Sequence, residues 1–264
     1  MSEKNRLGGF LSGGIVGMLG GLIGLGGAEF RLPILISLFK FDALPAIILN
    51  KAMSLVVVAT ALPFRMTTVG AAEIASHWPI IVNLLAGSLV GAWVGASWAT
   101  RLSSRTLYQV IAVLLVLMAG ILLFGHGLQS GTTLLQGAAQ MVAGVAAGFA
   151  IGVVASLMGV AGGELLIPTL MLLFGADIKL AGSLSLAISL PTMIVGFTRY
   201  SRDQNFKVIK ENSAFVILMI LGSIAGAFIG AQLLGIVPEN LLIPLLALIL
   251  LISAIKVWRH DVKV

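Results

Sequence analysis

The chain contains no cysteine. That excludes a disulfide framework, a thiolate metal site and a thiol nucleophile. Charge is scarce as well. Asp, Glu, Lys and Arg make up 10% of the 264 residues, where a soluble domain carries about 25%. A soluble globule of this size has too few charges to cover its surface. Of the three histidines, His77 and His126 fall in expected loops and His260 in the tail, so no metal cluster is expected. No catalytic constellation stands out, and neither enzyme activity nor a cofactor is expected. There is no GxxxxGK[ST] loop to hold ATP phosphates. The basic residues are scattered, without the dense patch of a nucleic-acid surface.

What remains is apolar: 59% hydrophobic residues and a mean hydropathy of +1.10. Lipid is the solvent that suits this composition. A helix needs roughly 20 apolar residues to cross a bilayer, which leaves room for about eight crossings and short loops. The 32 glycines point to close helix packing or to backbone that leaves the helix inside the membrane. Lys4 and Arg6 precede the first apolar run, which reads as a retained segment. Trp78 and Trp258 near segment ends suit an interfacial belt.

Compared with itself at a shift of 135 residues, the chain repeats without a gap. Gly17, Leu22, Gly24, Gly27, Glu29, Pro33 and Phe39 meet Gly152, Leu157, Gly159, Gly162, Glu164, Pro168 and Phe174. Asp42, Ala46, Ser54 and Leu55 meet Asp177, Ala181, Ser189 and Leu190. Gly87-Ser88-x-x-Gly91-Ala92-x-x-Gly95-Ala96 meets Gly222-Ser223-x-x-Gly226-Ala227-x-x-Gly230-Ala231. Paired Glu, Asp and Pro in one register do not follow from apolar composition. The expected fold is an all-α polytopic membrane bundle of two repeats, 1–134 and 135–264. Apolar segments are expected at about 9–25, 29–39, 43–64, 79–100 and 106–125, then at about 140–158, 164–174, 178–198, 213–234 and 240–258.

Loop charge orients the copies. The loop at 65–78 has Arg65 against Glu73, while its counterpart at 199–212 has Arg199, Arg202, Lys207 and Lys210. Arg101 and Arg105 follow in the first half, and only Glu239 in the second. The bias reverses, so by the positive-inside rule the repeats are inverted and each crosses an odd number of times. A segment of about 11 residues, 29–39, spans about 16 Å as helix, half a bilayer. The preferred arrangement makes 9–39 a hairpin that enters and leaves on one side, followed by three crossings. Five tilted crossings per half have the same parity. Both termini are then cytoplasmic, in a multi-pass protein of a cell inner membrane. Lys179 faces outside and fits less well.

Inverted repeats with broken helices are a plan of secondary transporters. A helix that begins inside the membrane presents free amides and a positive dipole end, a natural anion site. Two such starts, Ala28-Glu29 and Gly163-Glu164, are expected to aim at a common centre, with Gly24, Gly26, Gly27, Gly159 and Gly162 letting backbone approach the ligand. Pro33 and Pro168 suit a first turn. The Gly87, Gly91 and Gly95 series and its copy read as packing.

The stretches Gly24-Leu25-Gly26-Gly27-Ala28-Glu29-Phe30-Arg31-Leu32-Pro33 and Gly159-Val160-Ala161-Gly162-Gly163-Glu164-Leu165-Leu166-Ile167-Pro168 resemble the paired motif of the sulfite exporter TauE/SafE family of permeases. Gly182-Ser183-Leu184 is also similar to that family, and the resemblance covers nearly the whole chain. Ala28 and Ala161 stand where the family pattern has glycine. The resemblance implies a small permease for sulfur-containing anions such as sulfite, thiosulfate, sulfonates or sulfoacetate.

Ionisable residues inside a membrane invite a functional reading. Glu29 and Glu164 either carry a coupling proton or cap the short helices. Lys51 either pairs with Glu29, attracts the anion or snorkels. Arg31 either grips the anion bidentately or reaches headgroups. Asn50, Ser54, Ser185 and Ser189 either bind an oxyanion or bond to helix backbone. The expected partners are a small anion and the lipid bilayer, and the expected function is secondary transport of that anion. An anion channel and a membrane scaffold are the alternatives.

Overall fold

A computed structural model describes residues 3–23, 27–68, 70–124, 135–233 and 239–260. The described residues are helical, with no strand among them. The order is α1 (Glu3–Ile23), α2 (Ala28–Ser37), α3 (Ala43–Thr68), α4 (Ala71–Ser76), α5 (Trp78–Ala99), α6 (Ser104–Phe124), α7 (Gly137–Met158), α8 (Gly163–Phe174), α9 (Ile178–Tyr200), a 3-10 turn (Gln204–Lys207), α10 (Val208–Glu211), α11 (Ser213–Leu233) and α12 (Glu239–Trp258). Six of these contain a stretch long and apolar enough to cross a membrane: α3, α5, α6, α7, α9 and α11. The chain is a multi-pass membrane protein. Val90, Val113, Met141, Ile217 and Phe228 lie exposed on the outer helix faces, as lipid contact requires, while α3 and α9 are the most enclosed spans.

Local chemistry sets the helix ends. At the end of α7, Gly159 adopts φ 68°, and the Val160 amide reaches back to the Ala155 carbonyl at 3.0 Å, a Schellman closure. Asp177 caps α9 by accepting from the amides of Lys179 and Leu180, at 2.9 and 3.1 Å. Where a loop was expected at 65–78, α3 runs on to Thr68 and α4 fills most of the rest. The short helices begin at Ala28 and Gly163, within the expected starts. Pro33 and Pro168 are each the sixth helical residue, beyond the first turn. They therefore withhold a helical donor from the carbonyls of Glu29 and Glu164.

Both short helices fold back on their predecessors. Gly27 abuts Val16 and Gly20, and a Cβ on Gly8 would lie 3.6 Å from the Phe39 ring. Gly162 faces Ile151 and Ala155, and Gly144 faces Phe174. Gln140 donates to the Leu173 carbonyl.

Glycine decides the tightest helix pairs. In α1, a Cβ on Gly13 or Gly17 would overlap the carbonyls of Met219 and Ser223 in α11. In α5, a Cβ on Gly87 or Gly91 would overlap those of Val145 and Phe149 in α7. The numbers rise together in each pair, so α1 runs parallel to α11, and α5 to α7. Only a hydrogen in place of a side chain lets the backbones come this close.

Candidate functional site

The hairpin tips meet beside α3. Asn50 Nδ2 donates to the Ala28 carbonyl at the start of α2 and to the Met158 carbonyl at the end of α7, both at 3.0 Å. Lys51 Nζ donates to the carbonyls of Ala155 and Val160 at 3.1 and 3.2 Å. From α9, the Tyr200 hydroxyl donates to the Ser156 carbonyl at 2.9 Å. The carbonyls of Ala155 and Ser156 in the last turn of α7 already accept from the amides of Val160 and Gly159, and Lys51 of α3 and Tyr200 of α9 each add a second donor. Lys51 is fully buried, so it does not snorkel. Its partners are carbonyls rather than Glu29.

Arg31 is also wholly buried. Its Nη1 donates to Ser54 Oγ at 3.2 Å and Asn50 Oδ1 at 3.5 Å, and its Nη2 to Ser223 Oγ at 3.4 Å. It does not extend to a headgroup region. Glu29 and Glu164 sit close enough for their carboxyl groups to act on each other. Neither oxygen of Glu29 has a hydrogen-bond partner among the described residues, nor does Glu164 Oε2.

The helix starts are capped by backbone geometry. Gly27 has φ 70° and Gly162 φ 86°, values an L side chain rarely adopts. Their carbonyls accept from the amides of Phe30 and Arg31, and of Leu165 and Leu166. Both N-cap residues are glycine and supply no side-chain acceptor of their own.

Several expected residues converge: Ala28, Glu29, Arg31, Asn50, Lys51 and Ser54 from the first half, and Gly163 and Glu164 from the second. Gly24 and Gly26 lie outside the described residues. Gly159 approaches the Ile47 carbonyl and the Lys51 amide of α3, so its close contact is with helix backbone. Ser185 bonds to the Gly182 carbonyl of its own helix at 2.8 Å. Ser189 is buried with an unpartnered hydroxyl and does not bond to the Arg31 group. Ser223 and Tyr200 were not anticipated. Ser223 is hidden in a glycine packing series, and the sign it offered was a hydroxyl in an apolar helix.

Buried acids, an arginine and a lysine gathered where short helices begin, inside an apolar bundle, define a polytopic membrane permease. The family model for sulfite exporter TauE/SafE matches residues 9–257, and the chain belongs to that family of membrane transporters. No curated protein and no solved structure matches it.

Proposed function

We propose that this chain is a secondary transporter for a small sulfur-containing anion of the sulfite, thiosulfate, sulfonate or sulfoacetate type. The anion binds near the membrane midplane, between the starts of α2 and α8. The observation that carries this reading is the meeting of two short helices, about 15 and 18 Å long by residue count, beside buried Arg31 and Lys51. Family membership supports the sulfur anion.

The halves, 1–134 and 135–264, act as inverted repeats with re-entrant hairpins. Helices matched at the repeat spacing run antiparallel, which supports this. Lys51 of α3 lies by Gly196 of α9, while Leu55 and Val58 pack with Leu190, Leu186 and Met193. The Tyr108 ring near the start of α6 lies 5.0 Å from His260, just past α12. The pairing of α1 with α11 is matched by that of α7 with α5. A two-fold axis in the membrane plane produces such exchanges.

One end of the bundle collects Arg101, Arg105, Arg199, Arg202, Lys207, Lys210 and Arg259. Arg199 and Arg202 lie 5.9 and 5.1 Å from the Trp93 ring there. The positive-inside rule favours this end as cytoplasmic, with both termini on that side of a cell inner membrane. Proton coupling through Glu29 and Glu164 belongs to the same reading. Two carboxylates side by side repel each other and an anion, and a proton held between them relieves both.

The test is uptake of labelled sulfite and thiosulfate into proteoliposomes. Saturable, gradient-driven flux is expected. Ion currents far above carrier turnover would make it a channel, and no anion binding would make it a scaffold.

A further inference from the structure

Arg31 is an unusual buried charge. All three of its partners are neutral, at the long end of the hydrogen-bond range. Its Nε has no partner among the described residues. Glu29 is near enough for its charge to be felt but does not bond to the guanidinium. A guanidinium kept out of water without a carboxylate is costly, unless a charge of opposite sign joins it.

The neighbouring hydroxyls are equally incomplete. Serine and threonine in apolar helices commonly return their proton to their own helix. Here Ser37, Thr169, Ser183, Ser185 and Thr192 do so. Ser54 and Ser223 accept from Arg31 and donate to no described residue. Two hydroxyl protons and two guanidinium N–H groups, that of Nε and the second of Nη2, are thus left without acceptors among the described residues, around a single positive charge.

We propose that Arg31, Ser54 and Ser223 form the receptor for the sulfur oxyanion, so that α11 of the second half completes a site built mainly on α2 and α3. The proposal rests on the transport reading and gives it a location. The guanidinium fork pairs with two oxygens of one anion, and the hydroxyls turn their protons toward it. The site occurs once per chain. At the repeat spacing Arg31 corresponds to Leu166, and Ser88, the counterpart of Ser223, instead bonds to Thr192 at 2.7 Å. Gly17 holds Ser223 in place by letting α1 close onto its carbonyl.

Binding to purified full-length protein by calorimetry tests this, with sulfite, thiosulfate, sulfoacetate and chloride as probes. One sulfur anion per chain is expected, and no competition from chloride. Ser54→Ala and Ser223→Ala should each weaken binding at least about fivefold, and Arg31→Lys at least about tenfold. Ser88→Ala should leave affinity unchanged. If Arg31→Lys does not fold, the two serine variants carry the test. Wild-type affinity in folded Ser54→Ala and Ser223→Ala overturns the receptor while leaving transport standing. A wild-type protein that binds none of the three sulfur anions overturns both.

Discussion

Lys51 and Ala155 are joined across the two halves of the chain: the ammonium of α3 donates to a carbonyl at the end of α7, at 3.1 Å. Gly196 of α9 makes room for the lysine stem, since a Cβ there would lie 3.1 Å from Lys51 Cε. The positive charge meets the negative end of the α7 dipole, and so α3 of one half holds the hairpin tip of the other. Lys51→Met keeps the apolar stem and removes both bonds. Hydrogen bonds from a charged donor contribute about 1.5–3 kcal/mol each, offset by the relief of burying one charge fewer. The expected net loss is about 2 kcal/mol, concentrated at the tip. Amide exchange should accelerate over 155–163, with about a tenfold fall in transport. Unchanged exchange there would show that the lysine does not hold the hairpin.

How legible these features are in the sequence depends on what carries them. These helix ends are written in glycine, so the breaks before Glu29 and Glu164 are readable from the clusters that precede them. The depth of Lys51 follows from counting along an apolar run. Its partners do not, because carbonyl oxygens have no residue identity and only folding brings Ala155 and Val160 to it. Ser223 is masked by its setting, a glycine series whose packing role is real and hides the hydroxyl. The α4 helix is missed because Arg65 and Glu73 interrupt the apolar pattern, although Ala71-Ala72-Glu73-Ile74-Ala75-Ser76 has ordinary helix-forming residues. Pro33 and Pro168 suit a first turn by their spacing from the glutamates, but with the helices beginning at Ala28 and Gly163 each proline is the sixth helical residue.

The proposed proton coupling predicts that Glu29 and Glu164 govern the pH dependence of transport. If the anion moves only when the facing carboxyls hold a proton, transport rises as pH falls. Glu29→Gln and Glu164→Gln each remove one charge and keep the shape. Either should flatten the dependence and keep neutral-pH transport closer to its acid-pH rate. The measurement is proteoliposome uptake from acidic to neutral pH with no membrane potential. A wild-type pH profile in both variants would remove this pair from coupling.

The glycine seam between α5 and α7 makes a sharp contrast with a glycine outside it. A Cβ on Gly91 would overlap the Phe149 carbonyl, whereas one on Gly120 would meet no atom within 4 Å. Gly91→Ala should push the helices apart and cost about 1–3 kcal/mol. Gly120→Ala gains helix propensity of up to about 1 kcal/mol and should be neutral or slightly stabilising. Thermal melts of the detergent-purified variants decide it. Equal melting temperatures would mean that the seam adjusts without strain.

The absence of native cysteine makes the orientation of the halves directly measurable, because any introduced thiol is the only one to label. Ala72 on α4 and Gln204 in the turn after α9 are both exposed and lie in segments that correspond in the two copies. If the copies were parallel, both would face the same compartment. Inversion places them on opposite faces, and the charges agree: Glu73 is beside Ala72, while Arg199, Arg202, Lys207 and Lys210 surround Gln204. Ala72→Cys should react with a membrane-impermeant maleimide in intact cells. Gln204→Cys should react only after permeabilisation. Labelling of both from outside, or of neither, would rule out the inverted arrangement and with it the convergence of α2 and α8 from opposite sides of the membrane.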